Sequence, residues 1–388
     1  MTRLPWQLPL FLFLTFQVTG WNQSSVPIRD VEDPPNATPS SSNTRSKVVV
    51  VENEALVDRY QTRSQLITKA FNSALLNLTS ESSVPEAWAT LVDPGDKVAI
   101  KISTQGGAVA GTHPALVNEI VQGLQKAGIS QNDIVVWDKD PFHMISAGYV
   151  PMAPDQQWKC DSVIDGSGWD KEKFYFHEVV GQLIWSDQDF VGAREITSKV
   201  EMMNDFTTEA EKKLAQTREQ DVKTQISNRS YFANIVTKAD KIINLAPMSD
   251  HRKIGIYGAF SSLALDSIDN HRRFLKPDRT SAQALAEIYN DGQFKEKAVL
   301  HVVSGIIAQY AGGPEFNPNF AASPGLLMIS QDPVALDAIS RERIEDWRRI
   351  NKVSPIGENA LHLKAAEAWG FGTAQSSKMQ IVSISSQF

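Results

Sequence analysis

The chain has 388 residues and a formal net charge of −7, with 42% hydrophobic and 21% charged residues. These values fit a globular protein with a sizeable core, organised as one large domain or two smaller ones. The acidic balance argues against a nucleic-acid partner or an anionic membrane surface, because both attract basic proteins.

The N-terminal 20 residues have the layout of a secretory signal. Arg3 precedes a short apolar run over residues 8–14, and small residues follow before residue 20. The run is too short for a permanent membrane-spanning helix. We therefore predict a cleaved signal peptide over residues 1–20 and a secreted or periplasmic protein. An uncleaved anchor or a buried first helix are the alternatives.

Residues 21–46 are rich in Ser, Pro and Asn and have no apolar period, which predicts a disordered spacer. The folded domain should then begin at Lys47 and extend over residues 47–388. The chain has a single cysteine, Cys160, so it can form no internal disulfide and cannot hold an iron–sulfur cluster with four cysteines of its own.

Predicted strands and helices alternate from Lys47 onward. The strand predictions are residues 48–51, 97–102, 134–137, 241–245, 299–303, 325–329 and 379–384. The helix predictions are an apolar period from Leu56 to Leu75, a helix opened by Thr112-His113-Pro114, and helices over 333–349 and 359–369. The polar stretch at about 186–228 is predicted to be an exposed helical insertion.

This alternation predicts an α/β fold with a mostly parallel central sheet flanked by helices. The run Val48-Val49-Val50-Val51 is continuously β-branched, as a strand buried on both faces requires. We expect a Rossmann-like arrangement that could be divided into two lobes.

Several motifs, taken in chain order, resemble the DUF362 family, whose function is unknown. They are Lys97–Ile102 with Gly106-Gly107 and Thr112-His113-Pro114, Ile134–Asp138, Ile242–Pro247 with Asp250-His251, Asn270-His271, Ala308-Gln309-Tyr310 with Gly312-Gly313-Pro314, and Ser330–Asp337. The resemblance covers about residues 47–388 and implies an enzyme-like scaffold of a family whose members are often exported.

Several charged or nucleophilic positions of the family are replaced here. Ser261-Ser262 stands where the family typically has a Lys-Asn pair, and Ser103-Thr104 stands where Asn-Cys is common. These departures leave the backbone-shaping residues in place. They make the inheritance of any family activity an open question.

Ligands of open parallel sheets bind beyond the carboxyl ends of the strands. The residues that follow predicted strands are therefore candidates for a shared rim. A hypothesis of acid–base or nucleophilic catalysis places Lys101, Asp138 and His251 there, with Ser103 as a further nucleophile. Sequence alone cannot show whether a base lies within reach of a nucleophile.

A second hypothesis for this rim is a metal site. Asp250, His251, His271 and Asp332 are imidazole and carboxylate groups of the kind that bind zinc, iron or manganese. Their spacing follows no metal signature. Asp332 before Pro333 equally fits a helix N-cap, and that interpretation is favoured.

A third hypothesis is an anion pocket. Gly106 and Gly107 lie between a strand and the helix entry at His113, where free amides attract anions. Asn270, Gly312 and Gly313 join this ligand-binding set through the family motifs, although Gly312-Gly313-Pro314 also fits a plain turn. The basic pairs Arg252-Lys253 and Arg272-Arg273 could hold an acidic ligand or be solvated surface.

The sequence thus predicts an exported DUF362-like protein that binds a small anionic ligand, with a divalent metal as an added expectation and the reaction unknown. The alternative is a non-catalytic secreted binding protein that keeps the pocket on an enzyme-like scaffold. Substrate, cofactor and oligomeric state are not predicted.

Overall fold

The computed structural model describes residues 45–150, 158–177 and 229–385. The predicted signal peptide at 1–20, the predicted spacer up to residue 44 and the predicted insertion at 186–228 lie outside the described residues. The first strand begins at Ser46, one residue before the predicted start of the fold.

The described strands, in chain order, are β1 (Ser46–Glu52), β2 (Val57–Asp58), β3 (Gln61–Thr62), β4 (Val98–Lys101), β5 (Ile134–Asp138), β6 (Lys159–Ser162), β7 (Trp169–Phe176), β8 (Arg229–Ala233), β9 (Lys241–His251), β10 (Gly255–Tyr257), β11 (Ala298–Gln309), β12 (Ala321–Ala322), β13 (Leu326–Ser330) and β14 (Met379–Ser385). The central sheet has the order β14-β1-β13-β11-β9-β4-β5-β6, with β10 beside β9 and β12 beside β11. Two small antiparallel pairs, the β2-β3 hairpin and the two-stranded sheet of β7 and β8, complete the described strands.

Most neighbours in the central sheet are parallel, as predicted. The exceptions on the main path involve β13, which is antiparallel to both β1 and β11. Strands β11, β9, β4, β5 and β6 run parallel to one another, so their carboxyl ends share one edge of the sheet. The carboxyl end of β13 points to the opposite edge.

Helices cover both faces of the sheet. They are α1 (Ser64–Thr79), α2 (Val84–Ala89), α3 (Gly107–Ala110), α4 (Pro114–Lys126), α5 (Pro141–Ser146), α6 (Asn234–Lys238), α7 (Ala259–Asp266), α8 (Arg279–Asp291), α9 (Phe294–Lys297), α10 (Pro333–Ile350) and α11 (Leu361–Ala368). Helices α1, α2 and α4 pack on one face, and α7, α8, α10 and α11 pack on the other. The described residues from 45 onward belong to one compact unit, so they do not divide into two lobes.

Strand β1 shows why its β-branched run is buried on both sides. Val48 and Val50 join the core under α7 and α10, whereas Val49 and Val51 join the core under α1 and α4. Alternate residues of a strand point to opposite faces, so four consecutive valines supply both cores.

The first helix begins later than predicted. Leu56 lies in a short 3-10 turn, and Arg59 and Tyr60 have φ of +49° and +63°, which is incompatible with a continuous α-helix. The chain forms the β2-β3 hairpin before α1 starts at Ser64. The apolar period that suggested a longer helix therefore spans two different elements.

Helix α7 is fixed in place by a carboxylate from α10. Asp337 accepts hydrogen bonds from the amides of Ala259 and Phe260 at 2.5 and 3.0 Å, which satisfies two free N–H groups at the start of α7. Gly258 is required here, because a Cβ atom at this position would lie 2.1 Å from Asp337 Oδ1. This attachment orients the other end of α7, where Asp266 lies.

Among the residues that the structure describes, no helix is both long and apolar enough to cross a bilayer.

Stability at mildly acidic pH should depend on His301 in β11. This imidazole is fully buried, its Nδ1 lies 3.2 Å from Asn244 Nδ2, and burial lowers its pKa to about 3. The unfolded chain takes up a proton near pH 6.5, whereas the folded chain resists protonation down to about pH 3. The stabilising contribution is therefore present above pH 6.5 and is lost as the pH falls toward 3, by at most about 1.4 kcal/mol per pH unit.

Urea unfolding of the wild type and of His301→Gln at pH 7 and pH 5 measures this contribution. The pH 7 values give the cost of the substitution itself, and the change between the two pH values gives the titration. We expect the variant to lose less stability than the wild type between pH 7 and 5. An equal loss in both proteins would show that His301 does not titrate as proposed.

Candidate functional site

A fully buried ion pair lies where β4 ends. Lys101, the last residue of β4, has no exposed surface, and its Nζ lies 2.6 Å from Asp266 Oδ2 at the end of α7. The same ammonium donates to Ser103 Oγ at 2.8 Å. A buried charge requires a partner and further hydrogen bonds, and Lys101 has both.

The Asp266 carboxylate is held in its charged form. Burial alone would raise its pKa, but Lys101, Lys139 and hydrogen bonds from Lys101 and Tyr257 outweigh burial, so the pKa is lowered. Tyr257 of β10 donates its hydroxyl to the same oxygen, Asp266 Oδ2, that pairs with Lys101. Asp266 thus forms an ion pair with the Lys101 ammonium and accepts a hydrogen bond from the Tyr257 phenol.

Asp138, the last residue of β5, is a second buried carboxyl, and its pKa is shifted in the opposite direction to that of Asp266. Its Oδ2 accepts from Thr104 N at 2.8 Å and Thr104 Oγ1 at 2.5 Å, and its Oδ1 accepts from Lys139 N at 2.8 Å. Burial raises its pKa and the charge of Asp266 adds to that effect, while Lys101 opposes it. Two carboxyls whose environments move their pKa values apart are the usual basis of an acid and base pair.

Asp138, Tyr257 and Asp266 line an open cavity of about 350 Å³ at the carboxyl edge of the sheet. Its wall combines basic, imidazole and acidic side chains from five segments of the chain. The wall residues include Gln105, Asp138, Lys139, Asp140, His143, His251, Arg252, Lys253, Tyr257, Asp266, His271, Arg272, Gly313, Pro314 and Glu315.

Lys139 and His271 meet on this wall. Lys139 Nζ lies 2.8 Å from His271 Nδ1 and donates to the Leu265 carbonyl at 3.1 Å. A lysine ammonium can only donate, so Nδ1 of His271 is the acceptor and the imidazole carries its proton on Nε2. Lys139 is thereby held at the floor of the cavity, close to the end of α7.

His251 is kept neutral by its position. Its Nδ1 accepts from the amides of Lys253 and Ile254 at 3.1 and 3.3 Å. Burial lowers its pKa to about 3, and the nearby His271 and Lys253 act in the same direction. With Nδ1 engaged, the remaining nitrogen Nε2 carries the proton. His251 is therefore able to donate a hydrogen bond in the cavity, and its Nδ1 is not available to accept a proton from a ligand.

The structure brings together two of the three predicted catalytic residues. Asp138 and His251 both line the cavity. Lys101 lies beneath it without exposed surface, so it acts on the cavity through Asp266 and Ser103 and not by touching a ligand. Ser103 and Thr104, which replace the family's Asn-Cys, both contact this buried network.

The predicted ligand-binding residues are only partly in place. Gly313 lines the cavity, and Gly106 lines a neighbouring crevice. His113 is the buried N-cap of α4, and burial lowers its pKa to about 4. Asn270 is fully buried with φ of +36°, and it bonds Ser230 and the Arg229 carbonyl, which is a structural role. Gly107 and Gly312 line neither space.

The four predicted metal ligands do not converge. Asp332 lies at the opposite edge of the sheet because β13 is antiparallel, and it caps α10 through Ala335 N at 2.8 Å. Asp250 and His251 are consecutive in a strand and point to opposite faces. Asp250 accepts from Gly313 N at 2.8 Å and lies 3.5 Å from Arg348. Within residues 45–150, 158–177 and 229–385, no group of three His, Cys, Asp or Glu side chains is placed to hold a metal ion.

Three site residues were missed at the sequence level. Lys139 directly follows the strand-end residue Asp138, so its position was a usable signal. Asp266 ends a helix, and Tyr257 lies in the short β9-β10 hairpin, where no sequence pattern marks a site. The basic pair Arg252-Lys253 and Arg272 were noted, and all three line the cavity, whereas Arg273 is buried and bonds Ser230.

Comparison with known proteins confirms the family resemblance over part of the chain. The family model of DUF362, a domain of unknown function, matches residues 191–342. This range is shorter than the predicted 47–388. No curated protein matches the chain.

Two solved structures align weakly with the fold. A structural-genomics crystal structure of a Thermotoga maritima protein aligns at 8% identity and a TM-score of 0.38, covering 78% of this chain and 60% of that one. The lactate racemase apoprotein from Thermoanaerobacterium thermosaccharolyticum aligns at 11% identity and a TM-score of 0.30, covering 66% of this chain and 50% of that one. The chain thus spans 60% and 50% of these two proteins, and alignments this weak say nothing about its activity.

The Lys101–Asp266 pair should be strongly non-additive in stability. Lys101→Met alone leaves a buried carboxylate without its cation, which should cost about 3–5 kcal/mol of unfolding free energy. The double variant Lys101→Met/Asp266→Leu removes both charges and should cost clearly less than the sum of the single substitutions. Urea unfolding of the wild type, both single variants and the double variant gives the coupling energy.

The exposed pair Arg349–Asp346, with side chains 74% and 62% exposed, is the matched control. A double-mutant cycle with Arg349→Ala and Asp346→Ala should give a coupling energy below about 1 kcal/mol. Additive single effects at Lys101 and Asp266 would contradict the assignment of a mutually dependent buried pair.

Proposed function

We propose that this chain, which matches DUF362 over residues 191–342, binds one small organic anion in the cavity beyond β4, β5 and β9. We further propose that Asp138, Asp266 and Tyr257 provide proton-handling groups beside the bound anion. The observation that carries the proposal is a wall with four basic side chains in a protein whose overall charge is −7.

The charge balance of the wall supports an anion. Lys139, Arg252, Lys253 and Arg272 contribute positive charge. The wall also has four acidic residues, Asp138, Asp140, Asp266 and Glu315. Two of them have local partners, because Asp266 pairs with Lys101 and Asp140 accepts from two amides at the start of α5. Burial raises the pKa of Asp138. The basic side chains of the wall supply the positive charge that a negatively charged ligand would bind.

The size of the cavity supports a small molecule. A volume of about 350 Å³ lies at the lower end of the range found for small-molecule sites. A carboxylate or phosphate group at the basic wall would be bound through charge-assisted hydrogen bonds.

The acid–base arrangement supports a reaction that moves a proton. Asp138 is the carboxyl that holds a proton more readily, and Asp266 is the carboxylate that accepts from Tyr257. A proton could pass between a ligand and Tyr257, with Asp266 and Lys101 holding the phenol in place. The alternative is binding without turnover, which is favoured by the neutral, donor-only state of His251 and the inaccessibility of Lys101.

We place this activity outside the cytoplasm, on the export predicted from residues 1–20. Expression of the full chain with and without these residues tests the location. Loss of the protein from the exported fraction on their removal, and a mature chain beginning near residue 21, are the expected results.

Anion binding should depend on the exposed basic pair of the β9-β10 hairpin. In Arg252→Gln/Lys253→Gln the wall loses two charges, so dissociation constants for bound anions should rise about tenfold. Isothermal titration with acetate, succinate, methyl phosphate and inorganic phosphate measures this at low ionic strength. Both residues are exposed, so the variant should keep the melting temperature of the wild type to within a few degrees.

Lys126→Gln is the matched control, because Lys126 is an exposed lysine at the carboxyl end of α4, on the opposite edge of the sheet. It removes one charge and should bind as the wild type does. If no anion binds the wild type at 10 mM-scale concentrations, or if the double variant binds as tightly, the proposal is wrong.

A further inference from the structure

A narrow crevice adjoins the cavity. Gln105, Tyr257 and Pro314 line both spaces, whereas Ser103, Met248 and Ile307 line the crevice alone. Its volume is about 10 Å³, close to the lower limit for one water-sized group. A ligand in the cavity could therefore extend one small substituent past Tyr257 into this space.

The crevice differs from the cavity in its chemistry. Among the described residues, no charged side chain lines it, and its wall combines apolar side chains with hydroxyls and amides. Ser103 accepts from the Lys101 ammonium at 2.8 Å, so its own hydroxyl hydrogen can turn toward the crevice. The space is thus suited to a neutral polar group and not to a second anion.

One buried acceptor in this region lacks a donor. The side-chain oxygen Oε1 of Gln105 is buried and accepts no hydrogen bond from any described residue. A buried carbonyl without a donor costs about 1–3 kcal/mol, so such groups in folded proteins are normally satisfied by water or by a ligand. Gln105 lines both spaces, so a bound ligand would lie beside its side chain.

We infer that the crevice is a subsite for a hydroxyl group of the bound anion, which donates to Gln105 Oε1 and accepts from Ser103. The ligand class is then a short hydroxylated organic anion. A protonated amine also donates, but it would approach the Lys101 ammonium beneath Ser103, so a neutral hydroxyl fits better. This inference rests on the proposed anion site and adds the identity of the second recognised group.

Matched probes test the inference. Dissociation constants of butanoate, 2-hydroxybutanoate, 3-hydroxybutanoate, 4-hydroxybutanoate and 2-oxobutanoate are measured on the full chain by isothermal titration. At least one hydroxy acid should bind about tenfold more tightly than butanoate, because its hydroxyl satisfies a buried acceptor. In Gln105→Met, which keeps the length of the side chain without the amide, the ratio of hydroxy acid to butanoate affinity should fall to near one.

Gln125→Met is the control, since Gln125 is exposed on α4 away from both spaces, and it should retain the wild-type ratio. The outcomes separate the two proposals. If no probe binds the wild type, the anion site and the subsite both fail. If butanoate binds but no hydroxy acid binds more tightly, the anion site stands and the crevice holds only a structural water. A preference for 2-oxobutanoate over every hydroxy acid would also overturn the inference, because a keto group cannot donate to Gln105.

Discussion

The buried Lys101–Asp266 pair is the interaction on which the arrangement of the site depends. It joins the end of a central strand to the end of a helix, at a place where Lys101 has no exposed surface and Asp266 is almost completely buried. A buried charge without its partner is far more costly than the pair itself, so the fold must bring β4 and α7 together at this point. Tyr257 and Asp138 then acquire their roles from the pair, since Tyr257 donates to Asp266, and Asp266 and Lys101 act oppositely on the pKa of Asp138.

The attachment of α7 at its first turn explains the position of Asp266, its last residue. Asp337 of α10 binds the first amides of α7, and Gly258 permits the close approach. The helix is short, so fixing its start also fixes its last residue. Burial raises the pKa of Asp337 to about 7 despite these hydrogen bonds. Asp337, which holds the start of α7, is therefore also a buried carboxyl with a raised pKa. It does not line the cavity.

The sequence was sufficient for seven strands of the central sheet, but not for β6, β10 and β12, and for the strand-end residues of the site. The valine run of β1 and the strand-end position of Asp138 follow from periodicity and from the rule that ligands meet the carboxyl ends of parallel strands. The same rule failed for Asp332, because a short apolar run does not show whether its strand is parallel or antiparallel. Asp266 and Tyr257 could not be found in this way, since both reach the site through contacts between elements distant in the chain. Glycine motifs were also misleading, because Gly107 and Gly312 shape turns without lining the cavity.

The residues at the replaced family positions make specific contacts in the structure. Ser103 and Thr104 stand where the resemblance gives Asn-Cys and so lack a thiol, yet Ser103 accepts from Lys101 and Thr104 binds Asp138 through both its amide and its hydroxyl. The Ser261 hydroxyl donates a hydrogen bond to the Ile256 carbonyl. Ser261 lies within α7, is buried and does not line the cavity. Neither Ser261 nor Ser262, which stand where the resemblance gives Lys-Asn, lines the cavity. The basic side chains of the cavity are Lys139, Arg252, Lys253 and Arg272, so the positive charge of its wall does not depend on those positions.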